Sequence, residues 1–210
     1  MIEILQEDKI FSSSTYEYSK VRLFALEAKD FGVGIGKQHS LIKATSNGDS
    51  RSTFCELRLE RGIYKLVVDV ENKGEVFPRN YEMIVHSTSQ KISIKELSQK
   101  KNKNLLMETL SNLAIQRGSV KYLNEDQSLR RYVFSSAKLG ICVFTYANRS
   151  ANSYSIVDKV KVEGEHSCSK TIEHGKIRIS VPLNMKKFIV FRFEDPSFNV
   201  DIVDCSVQAK

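Results

Sequence analysis

From Cys55 to Val70 the chain alternates apolar with charged side chains, and this period of two confines it to β-structure more tightly than any other feature. Cys55, Leu57 and Leu59 stand against Glu56, Arg58 and Glu60, which places the apolar set on one face of a strand. After the turn signal Arg61-Gly62, the residues Tyr64, Leu66, Val68 and Val70 repeat the pattern against Lys65 and Asp69, so the spacing predicts a hairpin or an adjacent strand pair. Val21 to Leu26 reads as an earlier strand followed by a glycine-rich loop. Asn72-Lys73-Gly74 and Pro78 punctuate the chain before Tyr81, Met83 and Val85, and Ile92 and Ile94 follow between Lys91 and Lys95.

The period then changes. Leu106, Leu110 and Leu113 fall at i, i+4 and i+7, and Gly118 is placed to end a helix, so one amphipathic helix is expected over 104–117 with its leucine stripe docked on a core. Strands return beyond it. Leu139 to Tyr146 is a nearly continuous apolar run, as in a central strand covered on both faces. Ile177, Ile179 and Val181 alternate and end at Pro182, Phe188 to Phe193 is again apolar, and Val200 to Val207 completes the set. Many short strands and one helix predict a mainly β chain with two antiparallel β-sandwich modules, residues 1–98 and 120–210, joined by a basic linker and helix over 99–119.

Charge bears on partners. The net charge is +7, and residues 99–124 hold five basic side chains against one acidic. Lys100-Lys101-Asn102-Lys103 has no interleaved aromatic residues, so nucleic acid is not expected as a partner. No basic, apolar leader opens the chain and no apolar run approaches the ~20 residues that span a bilayer, which predicts a cytoplasmic protein. Cys55, Cys142, Cys168 and Cys205 are too dispersed for a disulfide framework or a zinc site and are expected as reduced thiols.

The residues with reactive potential do not assemble into a recognisable centre. His166 and Cys168 are two apart, but Gly164 and Ser167 suggest a loop and no nucleophile context surrounds the thiol. His166, Cys168 and His174 have irregular spacing for a metal, and Glu194-Asp195 with Asp201 and Asp204 lacks the D-x-D arrangement of a calcium loop. Gly32-Val33-Gly34-Ile35-Gly36-Lys37 fails as a phosphate loop, with Phe31 where glycine is needed and Gln38 where Ser or Thr is needed. Asn148-Arg149-Ser150 matches a glycosylation sequon, without a leader to route it to modification. No catalytic residue, cofactor or metal is expected.

Two stretches carry a family resemblance. Leu59-Glu60-Arg61-Gly62-Ile63-Tyr64-Lys65-Leu66-Val67-Val68 resembles the L-x-x-G-x-Y hairpin of the calpain β-sandwich, the C2-like domain III. Gly140-Ile141-Cys142-Val143-Phe144-Thr145-Tyr146-Ala147-Asn148-Arg149-Ser150 resembles the glycine-led aromatic strand of the same region. Val162-Glu163-Gly164, Ile179-Ser180-Val181-Pro182 and Phe188-Ile189-Val190-Phe191-Arg192 follow in similar order. The likeness is to the non-catalytic C-terminal region of calpain-family proteins, especially those of ciliates, and it implies C2-like modules that bind proteins, acidic phospholipids or calcium through loops. A calpain protease core carries its cysteine before a tryptophan, and this chain has no Trp. The expectation is a structural or interaction module for protein partners, with a cytoskeletal or axonemal assembly, and tubulin's acidic tails, as the suggested setting. A module on anionic phospholipid and a regulatory subunit of a calpain-like protease are the alternatives. Lys100, Lys101, Lys103, Lys186 and Lys187 are the candidate contacts.

Overall fold

The computed structural model describes residues 1–6, 18–29, 38–46, 50–71, 80–88, 92–96, 105–194 and 196–210. The chain is mainly β, with antiparallel sheets and one helix among these residues. It divides into two compact units, Met1–Leu106 and Met107–Lys210.

The first unit holds β1 (Ile2–Gln6), β2 (Lys20–Lys29), β3 (Gln38–Ser46), β4 (Ser52–Cys55), β5 (Tyr64–Glu71) and β6 (Tyr81–Val85). They form two three-stranded sheets in the orders β4-β1-β6 and β3-β2-β5. Ile2 and Cys55 from the first sheet and Leu23 from the second pack in one core with Leu57, Leu66 and Val85. The middle strand β2 also buries Arg22 completely, and its guanidinium meets Asp69 at 3.2 Å and Glu71 at 2.6 Å on the neighbouring β5. A charge taken out of water needs such partners. Neither the hairpin nor the adjacent strand pair expected between 55–59 and 64–70 forms. β4 pairs with β1 and β5 pairs with β2, while Glu56–Glu60 lies outside any strand. Around Ile92 and Ile94 the described residues 92–96 carry no ladder.

The second unit contains most of helix α1 (Leu105–Arg117), then β7 (Ser119–Tyr122), β8 (Leu129–Ser136), β9 (Ile141–Asn148), β10 (Tyr154–Glu163), β11 (His166–Cys168), β12 (Lys176–Val181), β13 (Lys186–Phe193) and β14 (Asn199–Ala209). A five-stranded sheet runs β11-β13-β9-β8-β7 and a three-stranded sheet runs β12-β10-β14. One core is shared between them, with Cys142, Phe144, Phe191 and Phe193 from the larger sheet and Ile156, Val160, Ile177 and Val181 from the smaller. Central strand β9 is buried along its whole length. Its alternate face carries Thr145, which donates to Ser111 Oγ of α1 at 3.3 Å. Leu110, Leu113 and Ala114 are buried on that helix, so most of the helix belongs to the second unit.

Gly118 follows α1 because of space, not a left-handed backbone. A Cβ there would stand 2.5 Å from the Ala114 carbonyl oxygen and 2.6 Å from that of Val133. On β14 the apolar period slips by one residue, from Val200 and Ile202 to Cys205 and Val207. The ladder with β10 absorbs the slip as a bulge opposite Lys159/Val160, which keeps all four residues on the core and leaves Val203 62% exposed.

Candidate interaction surface

Lys100, Lys101 and Lys103 lie outside the described residues, as does the Gly32–Lys37 loop. Lys186 and Lys187 open β13, opposite Ala147 and Tyr146 of β9, and both are exposed. Neither makes an ion pair among the described residues. On its other side β13 is paired by β11 at Phe191–Phe193 and bonded by Ser169 at Val190, so among the described residues the two lysines sit on an open stretch of edge. Lysine at such a position discourages edge-to-edge pairing, which gives the pair a structural reason apart from any partner.

The turn before them completes the surface. Met185 N–H donates to Pro182 O at 3.3 Å and Asn184 adopts φ 51°, which projects Leu183 and Met185 outward at 51% and 48% exposure. Asn148 holds this turn from below. Its Nδ2 donates to Asn152 O at 2.7 Å, Val181 O at 3.2 Å and Pro182 O at 3.0 Å, and its N–H donates to Met185 O at 3.0 Å. Asn148 is 2% exposed, so the sequon asparagine is an internal anchor that a glycan could not reach. Exposed Arg149 follows it, with its N–H donating to Ser128 O. The tip thus joins two apolar side chains to Lys186, Lys187 and Arg149. Charge patterning points to the lysines, whereas apolar residues inside a turn carry no periodic signal.

The reactive candidates have other tasks. His166 and Cys168 lie on a strand, not in the expected loop, paired to Phe193 and Phe191. His166 Nδ1 sits 2.9 Å from Gly164 O, and its ring faces Phe191 and Phe193 at 6.0 and 5.6 Å. Burial pushes the Cys168 thiol up, the wrong direction for a nucleophile. His174 occupies a turn at φ 50°. Asp201 accepts from Asn199 Nδ2 at 2.7 Å and Asp204 from the Cys205 N–H at 2.8 Å, while Asp195 is outside the described residues. Among the described residues no three His, Cys, Asp or Glu side chains group to hold a metal.

A buried charge cluster in the second unit was not foreseen. Arg131 of β8 and Tyr146 of β9 are cross-strand partners in the larger sheet, and both reach Asp158 of the smaller one, Arg131 at 2.6 Å and the Tyr146 hydroxyl donating at 2.5 Å. Cys205 stands directly across β10–β14 from Asp158. Burial first, then Asp158 through its charge and its hydrogen bonding, raises the Tyr146 phenol and pushes the Cys205 thiol up to about 11. Asp158 and Arg131 are 0% and 3% exposed, so the cluster faces the core and offers no ligand a way in.

No helix among the described residues is long and apolar enough to cross a membrane. In comparisons with known proteins, no family model, no curated protein and no solved structure matches the chain.

Proposed function

We propose that this chain is a non-catalytic interaction module that binds protein partners through the β12–β13 tip. The observation that carries the reading is the placement of Lys186 and Lys187, which make no ion pair among the described residues, beside half-exposed Leu183 and Met185 on a turn fixed by Asn148. A rigid apolar anchor with a basic flank suits an acidic partner surface and needs no reactive group. The cysteines support the non-catalytic side, because Cys142 is pushed up to about 12 and Cys168 is raised, so both stay protonated near neutrality. Calpain-like domain III modules are the relatives this reading expects, and cytoskeletal or axonemal proteins with acidic tails are the expected partners. The test is affinity purification of the tagged chain from its native cells, side by side with the Lys186→Glu/Lys187→Glu variant. The reversal keeps charges on the open edge while inverting their sign, so partners retained equally by both would sink the tip as the binding surface. Recovery of a protease chain would instead support a regulatory subunit of a calpain-like enzyme.

A second reading is favoured by the apolar apex itself. Leu183 and Met185 reach out beside cations that each gain about 1 kcal/mol near an anionic bilayer. Sedimentation with vesicles containing phosphatidylserine at low salt decides it, since a chain left in the supernatant removes the lipid reading.

A further inference from the structure

The three-stranded sheet of the second unit ends in β12 on one side and β14 on the other. A strand in that position carries outward backbone groups that another chain can take up. The alternation of an antiparallel ladder decides which groups those are. Beside β12, Gly175 O accepts from the Val160 N–H of β10 at 2.7 Å, so Lys176, Arg178 and Ser180 turn their backbone groups away from β10. Lys176 exchanges both of its hydrogen bonds with Glu173, at 2.9 and 3.1 Å, and Lys170 Nζ donates to the Arg178 carbonyl. At the end of β14, Lys210 N–H donates to Ser153 O at 2.8 Å, which leaves Cys205, Val207 and Ala209 facing outward. The Cys205 N–H is then taken by Asp204 Oδ1 at 2.8 Å, and exposed Asp201 adds a second carboxylate to the same edge.

We infer that Lys170 and Asp204 are edge guards, whose side chains occupy outward backbone groups of β12 and β14 and so block strand addition by a second copy of this chain. One guard supplies a donor to a carbonyl and the other an acceptor to an amide, so an incoming strand must break a hydrogen bond at either edge before it can pair.

Sedimentation velocity on the full chain over a range of concentrations tests this without any partner, so its outcome is independent of the binding experiments above. The Lys170→Ala/Asp204→Ala variant is expected to self-associate at loads where the parent and the Lys170→Arg/Asp204→Asn variant, which keep donor and acceptor, sediment unchanged. An alanine pair that sediments like the parent overturns the inference, and so does a conservative pair that associates as strongly as the alanine pair. Amide hydrogen exchange on the parent gives a reading that does not depend on a variant folding. The capped Cys205 amide is expected to exchange at least several-fold more slowly than those of Val207 and Ala209 on the same edge. Equal rates at the three positions would remove the Asp204 cap.

Discussion

Arg131 and Asp158 come from different sheets of the second unit and meet at 2.6 Å inside its core, with Asp158 completely buried. The pair ties β8 to β10 across the layer that the apolar side chains fill. Removing one partner strands the other charge without water, a loss of about 3–5 kcal/mol. Asp158→Ala is therefore expected to lower the urea midpoint of the second unit drastically or unfold it. Tyr146→Phe, which removes only a hydroxyl donor, should lose about 1–3 kcal/mol. Chemical denaturation read by circular dichroism checks both, and an Asp158→Ala midpoint equal to that of the parent would contradict the buried pair.

Alkaline pH should weaken the fold through its thiols. Cys142 rises from 9.0 to about 12 and Cys205 from 9.0 to about 11, chiefly by burial, and the Tyr146 phenol is raised as well. Each is an acid kept neutral in the folded state. Its stabilising contribution is whole below the unfolded value and is lost as pH climbs from there toward the folded one. Denaturation midpoints should thus stay level from pH 7 to about 8.5 and fall above about 9, more gently in Cys142→Ala. A parent curve flat to pH 11 would contradict the burial of both thiols.

Gly118→Ala should destabilise the second unit by about 1–3 kcal/mol, because the added methyl meets two backbone carbonyl oxygens rather than flexible side chains. Thermal melting compares it with Gly62→Ala, whose Cβ meets the Tyr64 ring at 3.2 Å or more. The larger drop is expected at Gly118.

Asn148→Ala should both destabilise the fold and loosen the tip, since one amide serves three carbonyls. Loss of the buried donors leaves those carbonyls short of a partner, worth about 1–3 kcal/mol. Protease sensitivity at Leu183–Lys187 should rise in the variant before global unfolding. Unchanged cleavage kinetics there would mean that the turn holds itself.

Much of the β architecture was legible wherever the inward positions are apolar. The alternation of Ile177, Ile179 and Val181 reads as β12, and the unbroken Leu139–Tyr146 run reads as the central strand β9. Strands β8 and β10 were not read because each places a charge at an inward position, Arg131 between Leu129 and Val133 and Asp158 between Ile156 and Val160. Only the partner strand reveals that these two charges cancel. Beyond Cys55 the apolar alternation continues without a strand, because the β4 ladder with β1 stops at the Ile2–Cys55 pair. At the candidate surface, charge located Lys186 and Lys187, whereas Leu183, Met185 and the anchoring role of Asn148 depend on a turn that no periodicity announces.

The bulge on β14 makes this strand unusually indifferent to the loss of one residue. Val203 is the extra residue that brings Cys205 and Val207 back into phase with Val200 and Ile202. Excising it would shorten the strand to a plain alternation that still presents the same four side chains inward, whereas excising a residue from the bulge-free β12 would invert every position beyond the cut. The C-terminal strand is therefore the place where this sequence can change length without changing its interior.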